Sequence, residues 1–385
     1  MFIDSYPHFL NVYTFFLMQL YTKDPSDYKN EPIFMGKNRN VQRYDIMKYP
    51  FFSERAKIMR GLFWSPEEVN MSKDRTDYGT LSPGLQHVFV SNLKYQTLLD
   101  SLMGRSLMMT IGRVITNPEF EECLAWWDTF EVLHSRSYSH IIQGIFDDPS
   151  PVFDDILIND YITKRSQTVI RYYDDLEEAT NEYAVRRNSK DPVQGEELEA
   201  LKEKILLALV NINILEGIRF YVSFACSFAF GENKIMVGNA SIIKLIATDE
   251  SQHLILSQYL LKILQENESE GFVELWKKNV EKIRDMYRVA FEEEKEWAAY
   301  LFKDEAMLGL NEPILVEYLK HILYSRMAAI NLEPIVEEIR ENPIPWIDNW
   351  LQYGHVETLP QETENIAYTI GTLKSDLKLD EMELL

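Results

Sequence analysis

Apolar and polar positions repeat along most of this chain at three- and four-residue intervals, the signature of one buried helical face. The repeats fall into blocks bounded by helix-start and helix-stop signals. Tyr49-Pro50 precedes a helical stretch to about Arg60. Ser65-Pro66-Glu67-Glu68 has the form of a helix start: a capping serine, proline in the first turn, and acids beside the positive end of the helix dipole. Ser82-Pro83 starts a helix running to about Thr116, with Gly104 as its weak point. Asn117-Pro118 starts another, to about Phe146, and Asp148-Pro149-Ser150-Pro151 ends it. Further helices are expected over 152–159, 161–187, 196–230, 234–265, 271–303 and 313–330. Periodicity is lost after Asn342-Pro343-Ile344-Pro345-Trp346. Strict alternation and Asn-Gly turns are absent, so no strand is expected.

The predicted fold is therefore all-α. Residues 1–30 form an N-terminal extension, 31–345 a domain of long helices, and 346–385 a tail short of packing residues. The tail reads as a flexible tether ending in an apolar-acidic peptide, Leu379-Asp380-Glu381-Met382-Glu383-Leu384-Leu385. Residues 23–50 read as an extended arm. The apolar run from Phe9 to Tyr21 lacks the basic flank and cleavage site of a signal peptide and is too short to span a bilayer. It either docks on the protein or reflects a start codon chosen too early, with Met18 and Met35 as the alternatives.

Composition narrows the partners. A net charge of −22 excludes the basic footprint of a nucleic-acid binder and an electrostatic attraction to anionic membranes. Two distant cysteines, Cys123 and Cys226, in apolar surroundings point to a reducing, cytoplasmic setting rather than a disulfide scaffold.

The chemistry sits in a repeated pattern. Glu-x-x-His occurs at Glu131/His134 and again at Glu250/His253. Two such matches arise by chance roughly one time in five or six, so the motif alone is weak. Its context is stronger. Both copies lie in apolar helices, and each follows a lone acid in another apolar helix, Asp100 and Glu216. Two helical hairpins of the form acid, turn, Glu-x-x-His would bring four carboxylates and two imidazoles into one core. That is the donor set of the di-iron and di-manganese ferritin-like bundles, and carboxylate with imidazole suits iron or manganese better than a closed zinc site. The plainer alternative is six buried polar residues satisfied by hydrogen bonds. Tyr138, one turn beyond His134, is either a packed core tyrosine or the nearest oxidisable side chain. Phe220, Phe224 and Ile246 are ordinary core, or a dry shell around a radical, or both.

Several longer stretches carry a family resemblance. Phe63-Trp64-Ser65-Pro66-Glu67-Glu68-Val69, Tyr95-Gln96-Thr97-Leu98-Leu99-Asp100-Ser101, His134-Ser135-Arg136-Ser137-Tyr138-Ser139-His140-Ile141, Phe220-Tyr221-Val222-Ser223-Phe224 and Pro343-Ile344-Pro345-Trp346-Ile347 occur in order. From about residue 31 onward the chain resembles the small, radical-generating subunit of class I ribonucleotide reductase. The resemblance implies an oxidoreductase, a thioredoxin- or glutaredoxin-dependent ribonucleoside-diphosphate reductase that supplies deoxyribonucleotides for DNA replication. It implies two iron ions per chain, with manganese or a mixed pair as alternatives. Asp100, Glu131 and His134 would bind one metal, and Glu216, Glu250 and His253 the other, with Glu131 and Glu250 bridging. Dioxygen would react there and leave a tyrosyl radical on Tyr138. Trp64 and Asp249 match the family's conduit from His134, and Tyr368 matches the tyrosine that hands the oxidising equivalent onward. The tail would dock on the large catalytic subunit, and the small subunit would be a homodimer. Thr248 and Ser251 depart from the family's usual Arg-Asp-Glu-x-x-His wording. A stand-alone di-iron oxidase or oxygenase of the same fold is the alternative, and it would have no use for Trp64, Tyr368 or a docking tail. An iron-storage bundle would be a shorter, shell-forming chain.

Overall fold

A computed structural model describes residues 27–36, 41–187 and 189–351. The apolar run at 9–21 and Tyr368 lie outside the described residues, as does nearly all of the tail.

Helices dominate. They are α1 (Pro50–Gly61), α2 (Ser72–Thr80), α3 (Pro83–Ser106), α4 (Pro118–Ile145), α5 (Ser150–Ile156), α6 (Asp160–Arg186), α7 (Glu196–Ile214), α8 (Phe220–Glu232), α9 (Val237–Glu266), α10 (Val273–Leu301) and α11 (Glu312–Ala329). The described residues contain isolated β-bridges but no strand. Local signals set several boundaries. The Ser82 hydroxyl accepts from the Leu85 amide, and the Asn117 side chain from that of Phe120. Asn159 caps α6 in the same way. Each satisfies an amide that the first helical turn leaves without a partner.

Four features differ from expectation. Ser65 does not cap a helix: its hydroxyl turns to the Glu67 carboxylate, and Pro66–Glu68 makes only one 3₁₀ turn. The helix comes later, as α2, whose only buried residue is Asp74. With no apolar stripe, α2 has no periodic signal. It is held instead by its carboxylates and by the ring of Tyr78, which meets Phe89 and Phe146. Asp74 accepts from the amides of Gly238 and Asn239 at 2.9 and 2.6 Å, and so caps α9 from outside. Third, α3 stops at Ser106, two residues past Gly104. A Cβ on Gly104 would stand 3.3–3.4 Å from the α4 backbone at Glu131 and Val132, so glycine lets α3 and α4 close on each other. Fourth, the expected single helix from 196 to 230 is broken by a π-helical turn, Leu215–Arg219, between α7 and α8.

From Ile205 to Phe230 every residue is buried. Glu196–Glu232 is long and apolar enough to cross a membrane, yet its most apolar 18-residue window is wholly buried inside the protein. It is the central rod of the bundle. Neighbouring helices run antiparallel in two places that matter. Ser101 meets Ser135 at 3.2 Å while Gly104 faces Glu131–Val132, which sets α3 against α4. His134 meets Asp249 and Glu250 while Glu131 meets His253, which sets α4 against α9.

Both ends of the described chain are tied down. In the N-terminal arm the Ile33 amide, Lys48 Nζ and Tyr49 hydroxyl all donate to buried Glu270, beyond the end of α9. At the other end Trp350 stacks on Phe228 of α8 with ring centroids 5.1 Å apart, so the packed body extends through about residue 351.

Candidate metal centre

Each hairpin brings its acid and its Glu-x-x-His to the same depth of the bundle. Asp100 comes from α3, Glu131 and His134 from α4, Glu216 from the π turn, and Glu250 and His253 from α9. All six are fully buried. Their donor atoms form two overlapping groups: Asp100, Glu131, His134 and Glu250, and then Glu131, Glu216, Glu250 and His253. Within each group the donors lie within 4.8 Å of one another. Glu131 and Glu250 belong to both groups. The hairpins also cross over. His134 Nδ1 lies 3.0 Å from Glu250 of the other hairpin, and His253 Nδ1 lies 3.1 Å from Glu131.

The electrostatics show what such a cluster requires. Burial raises Asp100, Glu131 and Glu216 above the usual carboxylate range, and neighbouring carboxylates add to the effect. Glu250 moves down, because Glu216 and the two imidazoles outweigh its burial. Burial works against the imidazolium of His253, but Glu131 and Glu250 outweigh it and raise the group to about 9. His134 is raised too, by Asp249 and Glu250 against its burial. Both oxygens of Asp100 and of Glu216, and one each of Glu131 and Glu250, make no hydrogen bond although buried. Buried polar atoms are normally paired. Unpaired oxygens from four carboxylates, converging with two imidazoles, fit two hard divalent cations.

Beyond the donors, two features support the imidazoles and carboxylates. His134 Nε2 lies 3.1 Å from Asp249 Oδ2, which also accepts from Trp64 Nε1 at 2.8 Å. A ligating histidine commonly gives its second nitrogen to such an acceptor. Trp127 donates to Glu131 at 2.8 Å, and its indole stacks on the His253 ring at 5.0 Å. Tyr138 is fully buried one turn past His134, and its hydroxyl makes no hydrogen bond. Burial pushes its phenol well up, and Asp100 is the charge that acts on it most.

Phe220, Phe224 and Ile246 are all fully buried, with the two phenylalanine rings stacked at 5.8 Å. The antiparallel register of α4 and α9 puts Ile246 at the level of Tyr138: four residues onward from His134 on α4 correspond to about four residues back from Glu250 on α9.

Three features escaped the sequence reading. Trp127 stands four residues before Glu131, a spacing that could have flagged it. The π turn is marked only by Gly217, a lone glycine in a continuous helical pattern. A buried ionic network joins Glu294 to Arg165 and to Arg219, which stands 3.2 Å from Glu294 and 2.5 Å from Glu293. Arg219, a lone cation in the apolar central rod, was its one visible sign.

Fold and donor set together define a helical-bundle protein of the dinuclear carboxylate class. Residues 43–343 match the family model described as ribonucleotide reductase, small chain, and the chain belongs to that family. It is 44% identical over 368 residues to the ribonucleoside-diphosphate reductase subunit beta of Haemophilus influenzae, covering 94% of this chain and 98% of the relative. The corresponding subunit of enterobacteria phage T4 is 36% identical over 376 residues, covering 93% and 96%. The ribonucleotide reductase R2 subunit from Clostridium botulinum superposes with a TM-score of 0.76 at 26% identity, covering 86% of this chain and 98% of that one. The dimanganese(II)-NrdF of Streptococcus sanguinis shares the fold, with a TM-score of 0.63 at 17% identity over 80% of this chain and 98% of that one.

Proposed function

We propose that this chain is the radical-generating small subunit of a ribonucleoside-diphosphate reductase, with Tyr138 as the residue that stores the oxidising equivalent. One observation carries the reading: two four-residue donor groups share Glu131 and Glu250, and a buried tyrosine stands one helical turn beyond one of their histidines. An iron or manganese pair bound by these donors supplies an oxidant through reaction with dioxygen. The chain's own residues do the rest. Asp100, Glu131 and His134 hold one position, and Glu216, Glu250 and His253 the other. The fully buried surroundings of Tyr138, with Phe220, Phe224 and Ile246, keep water from the oxidised phenol. The path outward runs from His134 through Asp249 to Trp64, which is only 3% exposed, at the outer end of the chain of hydrogen bonds.

From Trp64 the equivalent passes to Tyr368 in the tail and on to the large subunit, which the same tail engages. The subunit works as a homodimer in the cytoplasm. Iron is the metal we favour, with manganese able to use the same donors.

The test is to load the protein with Fe(II), admit oxygen and record the electron paramagnetic resonance spectrum. A tyrosyl doublet should appear, and it should be lost in Tyr138→Phe. Metal oxidation without a radical in either protein would leave a stand-alone oxidase as the better reading. Truncation after Glu357 should keep the radical yet abolish nucleotide reduction with the cognate large subunit; full activity of that truncate would sink the docking role of the tail.

A further inference from the structure

Glu216 and Arg219 stand three residues apart in the π turn, and they reach different sides of it. Glu216 faces the centre, where its carboxylate lies among those of Glu131 and Glu250 and beside His253. Arg219 faces α10. Its guanidinium is buried and donates to Glu293 at 2.5 Å and to Glu294 at 3.2 Å. Those two acids are held in turn from other helices. Thr168 of α6 donates to Glu293 at 2.7 Å, and Tyr95 of α3 donates to Glu294 at 3.4 Å. Arg165 of α6 also pairs with Glu294, with its guanidinium over the rings of Tyr95 and Trp297. Arg219 is thus fixed to a frame built from α3, α6 and α10.

The π geometry is what separates the two jobs. At 3.6 residues per turn, residues three apart share one face of an α-helix. A π turn bonds five residues back rather than four, so it spends more residues on each turn. Residues three apart then diverge, and a single turn can give Glu216 to the metal cradle and Arg219 to α10. Such turns are rare and occur singly inside α-helices, so this one needs support from outside its own helix. On the side of Gly217 that support is close packing, since a Cβ there would meet Leu254 of α9 at 2.9 Å. On the side of Arg219 it is the two glutamates of α10.

We propose that Arg219 is a positioning residue for the metal position held by Glu216, Glu250 and His253: its grip on Glu293 and Glu294 keeps the π turn open, and the open turn keeps Glu216 in the cradle. This rests on Glu216 being a metal donor. Wild-type protein that never fills that position would refute the assignment and the proposal with it; with both positions filled, the variants judge Arg219 alone.

The first readout needs no metal. Hydrogen exchange of the metal-free chain should be about tenfold faster at the amides of 215–220 in Arg219→Met than in wild type. Arg165→Met strips a cation from the same Glu294 but lies outside the turn. It controls for lost burial and should leave those amides near wild-type rates. The second readout is manganese. Crystals soaked over a range of Mn(II) concentrations give the occupancy of each position separately by anomalous scattering. Arg219→Met should fill the Asp100–Glu131–His134 position as wild type does and need about 10–100-fold more Mn(II) at the other, the range for losing a group that supports a ligand. Arg165→Met should fill both, and Arg219→Lys, which keeps the charge without the fork, should fall between. Wild-type filling of both positions in Arg219→Met overturns the proposal. So does a loss of the same size and distribution in Arg165→Met. If Arg219→Met does not fold, Glu293→Gln replaces it, removing one of the two charges from a partly exposed acid. Weakening confined to the Glu216 position supports the proposal, and unchanged or equally weakened positions overturn it.

Discussion

The two hairpins that build the centre look alike and are wired differently. Each offers an acid and a Glu-x-x-His, and each imidazole leans on the other hairpin's glutamate at about the same distance, 3.0 and 3.1 Å. The contrast lies at the second ring nitrogen. On His134 it reaches Asp249 and then Trp64. On His253 it has no hydrogen-bond partner, and the ring is stacked beneath Trp127. One half is connected outward and the other is sealed. A nearly symmetric metal cradle thus obtains a direction from what surrounds its two histidines, not from its donors.

The largest test of this contrast removes what the halves share. Glu250→Ala takes a donor from both groups and should abolish metal binding and radical together. Asp100→Ala and Glu216→Ala each touch one group and should leave part of the metal, read by elemental analysis. Equal losses in all three variants would show that the halves are not joined through Glu250.

Next come the two tryptophans. Trp64→Phe strips a donor from buried Asp249 and should keep the radical while nucleotide reduction falls about 10–100-fold, the usual range for losing such a supporting partner. Trp127→Phe should do the reverse, weakening metal binding about tenfold while leaving the outward path intact. Like losses of metal in both variants would erase the distinction between a connected and a sealed half.

A smaller effect concerns pH. In metal-free protein His253 titrates near 9 against an ordinary value of 6.5, so its stabilisation is complete below about 6.5 and lost as pH rises through 9. The raised carboxyls of Asp100, Glu131 and Glu216 act in the same sense, losing stabilisation as pH rises. Glu250, lowered, loses its contribution only in acid, below its ordinary 4.5. Melting of the metal-free chain should therefore fall from pH 6.5 to 9, while the loaded chain stays flat because cations replace the protons. Parallel curves for the two forms would contradict this.

The smallest effect is at the π turn. A Cβ on Gly217 would meet Leu254 Cδ1 at 2.9 Å and the Arg326 side chain at 3.4 Å. Gly217→Ala should cost about 1–2 kcal/mol by overpacking, with the loss concentrated in the second metal position.

What could be read in advance was what is local. The caps at Ser82 and Asn117 and the two Glu-x-x-His spacings act within one or two turns, so the chain itself displays them. The π turn was hidden because Gly217 is a lone glycine inside an otherwise continuous helical pattern, which is tolerated without a break. Helix α2 was hidden for the opposite reason. It is polar apart from Tyr78, and Asp74 finds its partners more than 160 residues away. Trp127 read as core because an indole in an apolar helix always does; its carboxylate, Glu131, stands one turn on along α4, but only the closing of α9 against α4 gives it the His253 imidazole. The ionic network of Arg165, Arg219 and Glu294 joins three helices, and nothing in any one of them announces the others.

Glu270 carries a consequence for how the molecule is made. It gathers Ile33, Lys48 and Tyr49 across separations of 221 to 237 residues. A ribosome adding roughly 5–20 residues per second leaves that arm waiting about ten seconds or more for its anchor. Until α9 and the residue behind it emerge, the first hairpin offers Asp100, Glu131 and His134 without Glu250, an open half-cradle. The clasp at Glu270 forms only after both shared glutamates exist. A nascent chain therefore secures its first segment no earlier than the stage at which it can enclose a reactive metal pair.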